Sequence, residues 1–372
     1  MSKTLYATAT MVGMIVGVGI FGVPYVTVQA GFFMGVFWML LLGGVTLLMS
    51  LFYSEVVFAT PGRHRLVGYA WYHLGPFGMA AAALFNILSF WGAQVAYIIV
   101  GGQFLFTLLS PIFGGDALLY HLGFFAVMAV LIAGKVSVFK RAELVMAGCL
   151  IALIAVISLW AVPRVDWRNL TASVDFVRFL APYGVILFAL GGASAVPGMI
   201  DIVGRRRGVV RRAIILGSLI SLALTILFTS AIVAVTGHST TPEVVAGLQG
   251  VPGSFAVVLA VIAFGVFAIA SSYLVLGVNL KEVFQYDLRF PPVFAWIFAV
   301  GVPALFFLFG TTDFISVIDY SGALFGGIEA LLILLMFLLL ARRGKAMGGS
   351  FTWQALAFGL AAIFIIGIFS RL

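Results

Sequence analysis

Polar residues in this chain gather into short clusters that separate long apolar runs. Most runs reach roughly 20 residues, the length at which an α-helix crosses about 30 Å of hydrocarbon. Eleven spans are predicted, over residues 5–30, 33–59, 76–110, 119–137, 143–163, 180–200, 209–236, 254–281, 292–310, 313–341 and 353–371. The third is too long for a perpendicular crossing, which predicts tilt or an extension beyond the bilayer. Ahead of it, residues 60–75 hold Pro61, Arg63, Arg65, Tyr69, Trp71 and Tyr72, a mixture suited to a short interfacial helix. Residues 236–253 predict a second such segment on the opposite face.

The runs repeat. Val23-Pro24 in span one and Val196-Pro197 in span six are 173 residues apart, and the same offset carries spans two to five onto spans seven to ten. Five spans is an odd number, so the second copy crosses the membrane in the opposite sense. The predicted organisation is an all-α integral membrane protein: a five-helix repeat over residues 1–165, an inverted five-helix repeat over 166–345, and an extra helix over 346–372.

Composition agrees: 63% of the 372 residues are hydrophobic and 9% charged, too few for a water-soluble surface. The net charge of +8 suggests nucleic acid until the basic residues are placed. With the N-terminus cytoplasmic, 16 of the 20 Lys and Arg fall inside: Lys3, Arg63, Arg65, Lys135, Lys140, Arg141, Arg205, Arg206, Arg207, Arg211, Arg212, Lys281, Arg289, Arg342, Arg343 and Lys345. Arg164, Arg168, Arg178 and Arg371 fall outside. That bias is the positive-inside signature of a multi-pass protein of the plasma or inner cell membrane with its C-terminus outside. Charge therefore reports topology and gives no reason to expect a nucleic-acid partner, nor does any segment mark an obligate protein partner. Cys149, the lone cysteine, lies in an apolar run and is expected to be a packed core thiol. His64, His73, His121 and His238 are placed in loops or at interfaces without metal-ligand spacing, which argues against an embedded enzyme.

Helix-breaking sequence at mid-membrane is tolerated only where it faces protein or a water-filled cavity. Gly17, Gly19, Gly22 and Pro24 in span one match Gly191, Gly192 and Pro197 in span six. Glycines in such helices also mark close packing; two interruptions at corresponding places point to a transporter's central site. A half-helix offers free N–H groups and its positive dipole end to a carboxylate, while unwound carbonyls accept from an ammonium.

These residues carry a likeness. GVGIFGVPY from Gly17 to Tyr25, followed by QAGF at 29–32, resembles the first helix of amino acid permeases of the amino acid/auxin and aromatic amino acid permease type, within the amino acid-polyamine-organocation superfamily. PYGVILFALGGASAVP from Pro182 to Pro197 is similar to their sixth, and SSYLVLGVNLKEVF from Ser271 to Phe284 to their eighth. The resemblance implies the leucine-transporter fold, with helices one and six broken, and carriage of amino acids by alternating access. It departs where Gly198 follows the helix-six proline, a place at which close relatives are expected to carry an acid. In sodium-coupled members of that fold, positions matching Ala268, Ser271 and Ser272 in span eight and Gly13 and Val16 in span one supply five neutral oxygens to one Na+. The same serines are equally suited to hydrogen bonds within and between helices.

The substrate carboxylate is expected at the amides of Gly17, Val18, Gly19, Ile20 and Phe21, and its ammonium at the carbonyls of Phe188, Ala189, Leu190 and Gly191, with Gly192 and Ser194 alongside. Gln94 and Tyr97, three apart in span three, share a helix face and either reach the substrate or bond between helices. No acid or base is evident in that centre, which predicts a neutral, zwitterionic amino acid. The volume left by Gly191, Gly192 and Ala193 suits a large apolar or aromatic side chain. Glu329, midway along span ten, is the deepest carboxyl group and serves as a proton site or braces the broken helices. Glu55 and Asp201 are expected near cytoplasmic ends, where they snorkel or form a gate ion pair with a neighbouring Arg, and Asp319 hydrated near the outer end of span ten. The expected activity is secondary transport coupled to Na+ or H+, with no cofactor beyond the coupling ion; exchange, or amino acid sensing without transport, is the alternative.

Overall fold

The computed structural model describes residues 3–134, 139–171, 173–310, 313–343 and 351–371, and every regular element among them is helical. In chain order these are α1 (Lys3–Ile15), α2 (Gly19–Ala30), α3 (Phe32–Ala59), α4 (Leu66–Phe113), α5 (Ala117–Ala133), α6 (Phe139–Ala161), α7 (Trp167–Leu170), α8 (Ala181–Ala189), α9 (Ala195–Val203), α10 (Arg207–Thr236), α11 (Val245–Gln249), α12 (Phe255–Glu282), α13 (Pro292–Phe309), α14 (Phe314–Tyr320), α15 (Gly327–Arg342) and α16 (Phe351–Phe369). Eight described helical segments are long and apolar enough to cross a membrane, or nine with α1 and α2 taken as one span bent by 53°. Of the basic residues used to assign orientation, Lys135 and Lys345 lie outside the described residues.

Local chemistry explains the interruptions. Gly75 takes φ 74° and ψ −163°, a backbone state that L side chains resist, and divides α4 into a nine-residue entry and a long apolar helix that restarts at Pro76. The expected interfacial helix is thus residues 66–74. Gly31, at φ 94°, turns α2 into α3 where a Cβ would press on Ser173 O at 3.1 Å. A π-helical turn over Ser321–Gly326 joins α14 to α15. The bent first span wraps the second interrupted pair, α2 against α8 and α1 against α9, with α3, α4, α10 and α12 around them. We call the side that carries Lys3, Arg63, Arg65 and the start of α10 the basic face.

Three expectations require correction. Cys149 is exposed, because α6 lies at the periphery and is apolar on every side, so hydropathy cannot tell its lipid face from its packed face. His121 is buried in the second turn of α5, with Nδ1 2.7 Å from Ala117 O and its ring stacked on Phe307. Asp319 is clamped by Arg371, whose Nη2 is 3.0 Å from Oδ1 and whose Nε meets Oδ2; the same guanidinium donates to Leu180 O at 2.8 Å. Arg371 follows α16, so this pair fastens the last helix to α8 and α14. Truncating Arg371 to alanine strands a carboxylate that is only 16% exposed. The expected cost is about 3 kcal/mol. It is read as a lowered unfolding temperature in detergent, partly restored when Asp319→Asn is added.

Candidate functional site

A cavity of about 140 Å³ lies where the two interrupted pairs cross. Gly17 and Gly19 border it from the first break and Gly191, Gly192, Ala193 and Ser194 from the second. In the first break the amides of Val16, Gly17 and Phe21 are taken by Val12, Ile15 and Val18 carbonyls, at 2.8, 3.0 and 3.1 Å. Those of Val18, Gly19 and Ile20 make no backbone hydrogen bond. In the second, Leu190 and Gly191 donate to Ile186 and Phe188, and Ala195 and Val196 to Gly192 and Ala193, leaving the amides of Gly192, Ala193 and Ser194 free. Each break thus presents three consecutive free N–H groups at the start of a helix, the arrangement that binds a carboxylate. Backbone contact fixes the crossing at Gly19, where a Cβ would lie 2.7 Å from Ala189 Cα; at Gly192 a Cβ would meet the end of the Met11 side chain, Cε at 2.6 Å.

The expected binding residues divide. Gly17, Gly19, Tyr97, Phe188, Gly191, Gly192 and Ser194 line the cavity. Val18, Ile20, Ala189 and Leu190 are buried outside its wall, contributing backbone at most, and Phe21 packs edge-on against Phe104 and Phe228 at 5.1 and 5.9 Å. Gln94 is fully buried away from the cavity, and neither atom of its amide has a partner. Sequence reading missed Ser89, Phe90 and Ala93, which with Tyr97 form the wall from α4. The spacing of Phe90, Ala93 and Tyr97 traces one helical stripe, a pattern that apolar residues alone do not distinguish from a packed face. Thr46, Met49, Ile333 and Phe364 complete the wall and carry no local signal at all.

Glu329 corrects the expectation of a centre without acid or base. It lines the cavity, its carboxyl faces Asn86 and Ser89, and Oε1 has no hydrogen-bond partner. Glu329 follows the π-helical turn over Ser321–Gly326, in the first turn of α15.

The residues matched to a cation site are brought together in part. Ser272 Oγ donates to Gly13 O at 3.3 Å across α12 and α1. Ala268, Ser271, Ser272 and Val16 are all buried. A Cβ on Gly17 would stand 2.9 Å from the Tyr97 hydroxyl and 3.2 Å from Ser272 Oγ, so this cluster abuts the central cavity. Among the described residues no three His, Cys, Asp or Glu side chains are grouped to hold a metal.

Two further cavities run from the centre toward the basic face. One, of about 30 Å³, joins Glu329 and Asn86 to Arg65; the other, of about 190 Å³, joins Gly13 and Ser271 to Arg65 and Glu282. Ser194 borders all three. Both end at an ion-pair network: Arg65 Nε donates to Glu282 Oε2 at 2.9 Å, and Asp201 accepts from Arg63 at 3.0 Å and Arg65 at 3.4 Å. Arg207 pairs with Glu55 at 3.0 Å, and Arg205 donates to the carbonyls of Val57, Phe58 and Thr60. Gly198 faces open space on this path. Phe21, Phe104 and Phe228 form an aromatic cluster at the start of α2, outside the cavity wall.

A sequence model of the tryptophan/tyrosine permease family matches residues 1–372. The crystal structure of MhsT in complex with L-phenylalanine is similar at a TM-score of 0.73, covering 99% of this chain and 97% of that one at 17% identity. That likeness shows the fold, the leucine-transporter arrangement. No curated protein matches the chain.

Proposed function

The chain belongs to the tryptophan/tyrosine permease family, and from that premise we propose that it is a secondary transporter carrying tryptophan or tyrosine across the cell membrane by alternating access. The observation that carries this reading is the pair of breaks, each with three free amides, that meet at one cavity. An amino acid's carboxylate binds amides, its ammonium binds unwound carbonyls, and the wall of Phe90, Met49, Ile333 and Phe364 receives an aromatic ring. The solved relative holds L-phenylalanine, a ligand of the same class.

In this reading the chain crosses the membrane eleven times, counting α1–α2, α8–α9 and α14–α15 as single spans, and the two halves are inverted repeats. The N-terminus is cytoplasmic and the C-terminus outside. The Arg65 network is the inner gate and the Phe21 cluster part of the outer one. The coupling cation is Na+ at Gly13, Val16, Ala268, Ser271 and Ser272, supported by the Ser272–Gly13 contact, or a proton at Glu329, supported by its place between two cavities.

Uptake of labelled tryptophan into proteoliposomes tests the proposal. An imposed ion gradient should drive accumulation above equilibrium. Stimulation by sodium that falls about tenfold in Ser272→Ala, the loss expected for one charged contact, assigns the oxygen cluster. Uptake indifferent to sodium, driven by a pH gradient and lost in Glu329→Gln, assigns the carboxyl group. Binding without flux or exchange overturns transport and leaves a sensor.

A further inference from the structure

From the position of Glu329 we infer that its carboxyl group is the specificity determinant of the central cavity, accepting a hydrogen bond from the ring-borne donor of the substrate: the indole N–H of tryptophan or the phenol O–H of tyrosine. The inference rests on the transport reading above and adds to it a reason for selecting these two rings over that of phenylalanine.

Both sets of free amides belong to the breaks between α1 and α2 and between α8 and α9. Glu329 lies in the first turn of α15, which packs on α3, α4 and α16 rather than on the broken helices. The carboxylate and ammonium of a bound amino acid are therefore satisfied at one wall, and the side chain extends toward the other. That far wall is apolar through Met49, Phe90, Ala330, Ile333 and Phe364. Among the described residues Glu329 is its only carboxyl group, with the hydroxyls of Thr46 and Ser89 nearby.

Its bonding is incomplete. Asn86 and Ser89 face the carboxyl, yet Oε1, buried from solvent, has no donor. A buried acceptor left unmatched costs more than a satisfied one gains, so a site of this kind favours a ligand that brings a donor. A pocket built around a polar partner also rejects an analogue that lacks it far more strongly than an apolar pocket rejects a missing methylene. Tryptophan and tyrosine each carry one donor at the far edge of an aromatic ring, and phenylalanine carries none. The oxygen accepts whether or not the other carboxyl oxygen carries a proton, so a role for Glu329 in coupling is compatible with this one.

Competition against labelled tryptophan in proteoliposomes of the full chain, with tyrosine, phenylalanine and 1-methyltryptophan, provides the test. The methylated indole keeps the ring and removes the donor. In the native protein both phenylalanine and 1-methyltryptophan should compete roughly ten- to hundredfold less well than tryptophan, the range of one charge-assisted hydrogen bond. In Glu329→Leu the ratio of tryptophan to phenylalanine should fall to within about threefold of unity, since the acceptor is gone. Glu329→Gln retains an acceptor oxygen and should keep the preference even where it abolishes pH-driven accumulation, which separates specificity from proton coupling. The inference is overturned if native protein takes 1-methyltryptophan as readily as tryptophan, a measurement that needs no variant to fold, or if Glu329→Leu keeps the native ratio. Either result leaves aromatic amino acid transport standing, whereas failure of every aromatic amino acid to compete or be carried removes the transport reading itself.

Discussion

Replacing Gly19 with alanine is expected to lower transport about a hundredfold while the protein still inserts and elutes as a single species. The added methyl group would lie 2.7 Å from Ala189 Cα, 3.0 Å from Ala189 Cβ and 3.0 Å from Phe188 Cδ1. Main-chain atoms cannot swing aside as the end of a side chain can, so α2 and α8 must separate. The free amides of Val18, Gly19 and Ile20 then move relative to Phe188 and the second break. Misplacing a binding group by about 1 Å can cost 10²-fold even when every group is retained. Gly123→Ala is the control, because nothing lies within 4 Å of the added carbon and alanine favours the helix by up to about 1 kcal/mol. Near-native uptake by Gly19→Ala would show that the crossing of the two breaks does not set the site.

The second large effect belongs to Arg65. Its side chain is 12% exposed and faces carboxylates of Glu282 and Asp201 that are 20% and 24% exposed. Removing the cation leaves two acids near each other with their shared partner gone. Breaking such a pair costs about 3 kcal/mol, and since every 1.4 kcal/mol is about tenfold, the balance between closed and open inner gate moves about a hundredfold toward open. Ser194 borders all three cavities and reports the change. Ser194→Cys, in a Cys149→Ser background because Cys149 is exposed, should react with a charged thiol reagent from the basic face at least tenfold faster once Arg65→Gln is added. An unchanged rate would mean that Arg65 holds the helices together without gating them.

Much of this architecture was legible in the one-dimensional pattern. Apolar runs mark helices because a bilayer leaves every backbone group to find its partner within its own segment, so length and composition suffice. The interruptions at Gly17–Gly19 and Gly191–Gly192 were legible for a related reason: glycine and proline act on their own turn, and the resulting free amides need no distant neighbour to exist. The break at Gly75 and the interfacial entry to α4 were local in the same way.

Facing was another matter. In a soluble helix a polar stripe separates outside from inside, but here lipid and protein neighbours are equally apolar, and the stripe that normally orients a helix is missing. Of the two residues expected to reach the substrate from span three, Tyr97 lines the cavity beside Phe90 and Ala93, whereas Gln94 is buried away from it. Glu329 is legible as deep, yet its place in the wall of the central cavity depends on how α15 is rotated against its neighbours. Arg65 and Glu282 stand 217 residues apart, and Arg65 and Asp201 136 apart, distances at which charge composition gives no pairing. The sequence by itself determined that this protein is helical and that its helices break near Gly17 and Gly191, because those properties are written in local backbone chemistry. Only the tertiary structure decided which walls meet around the cavity and which ions close it, because those depend on how each helix is rotated against neighbours no more or less oily than itself.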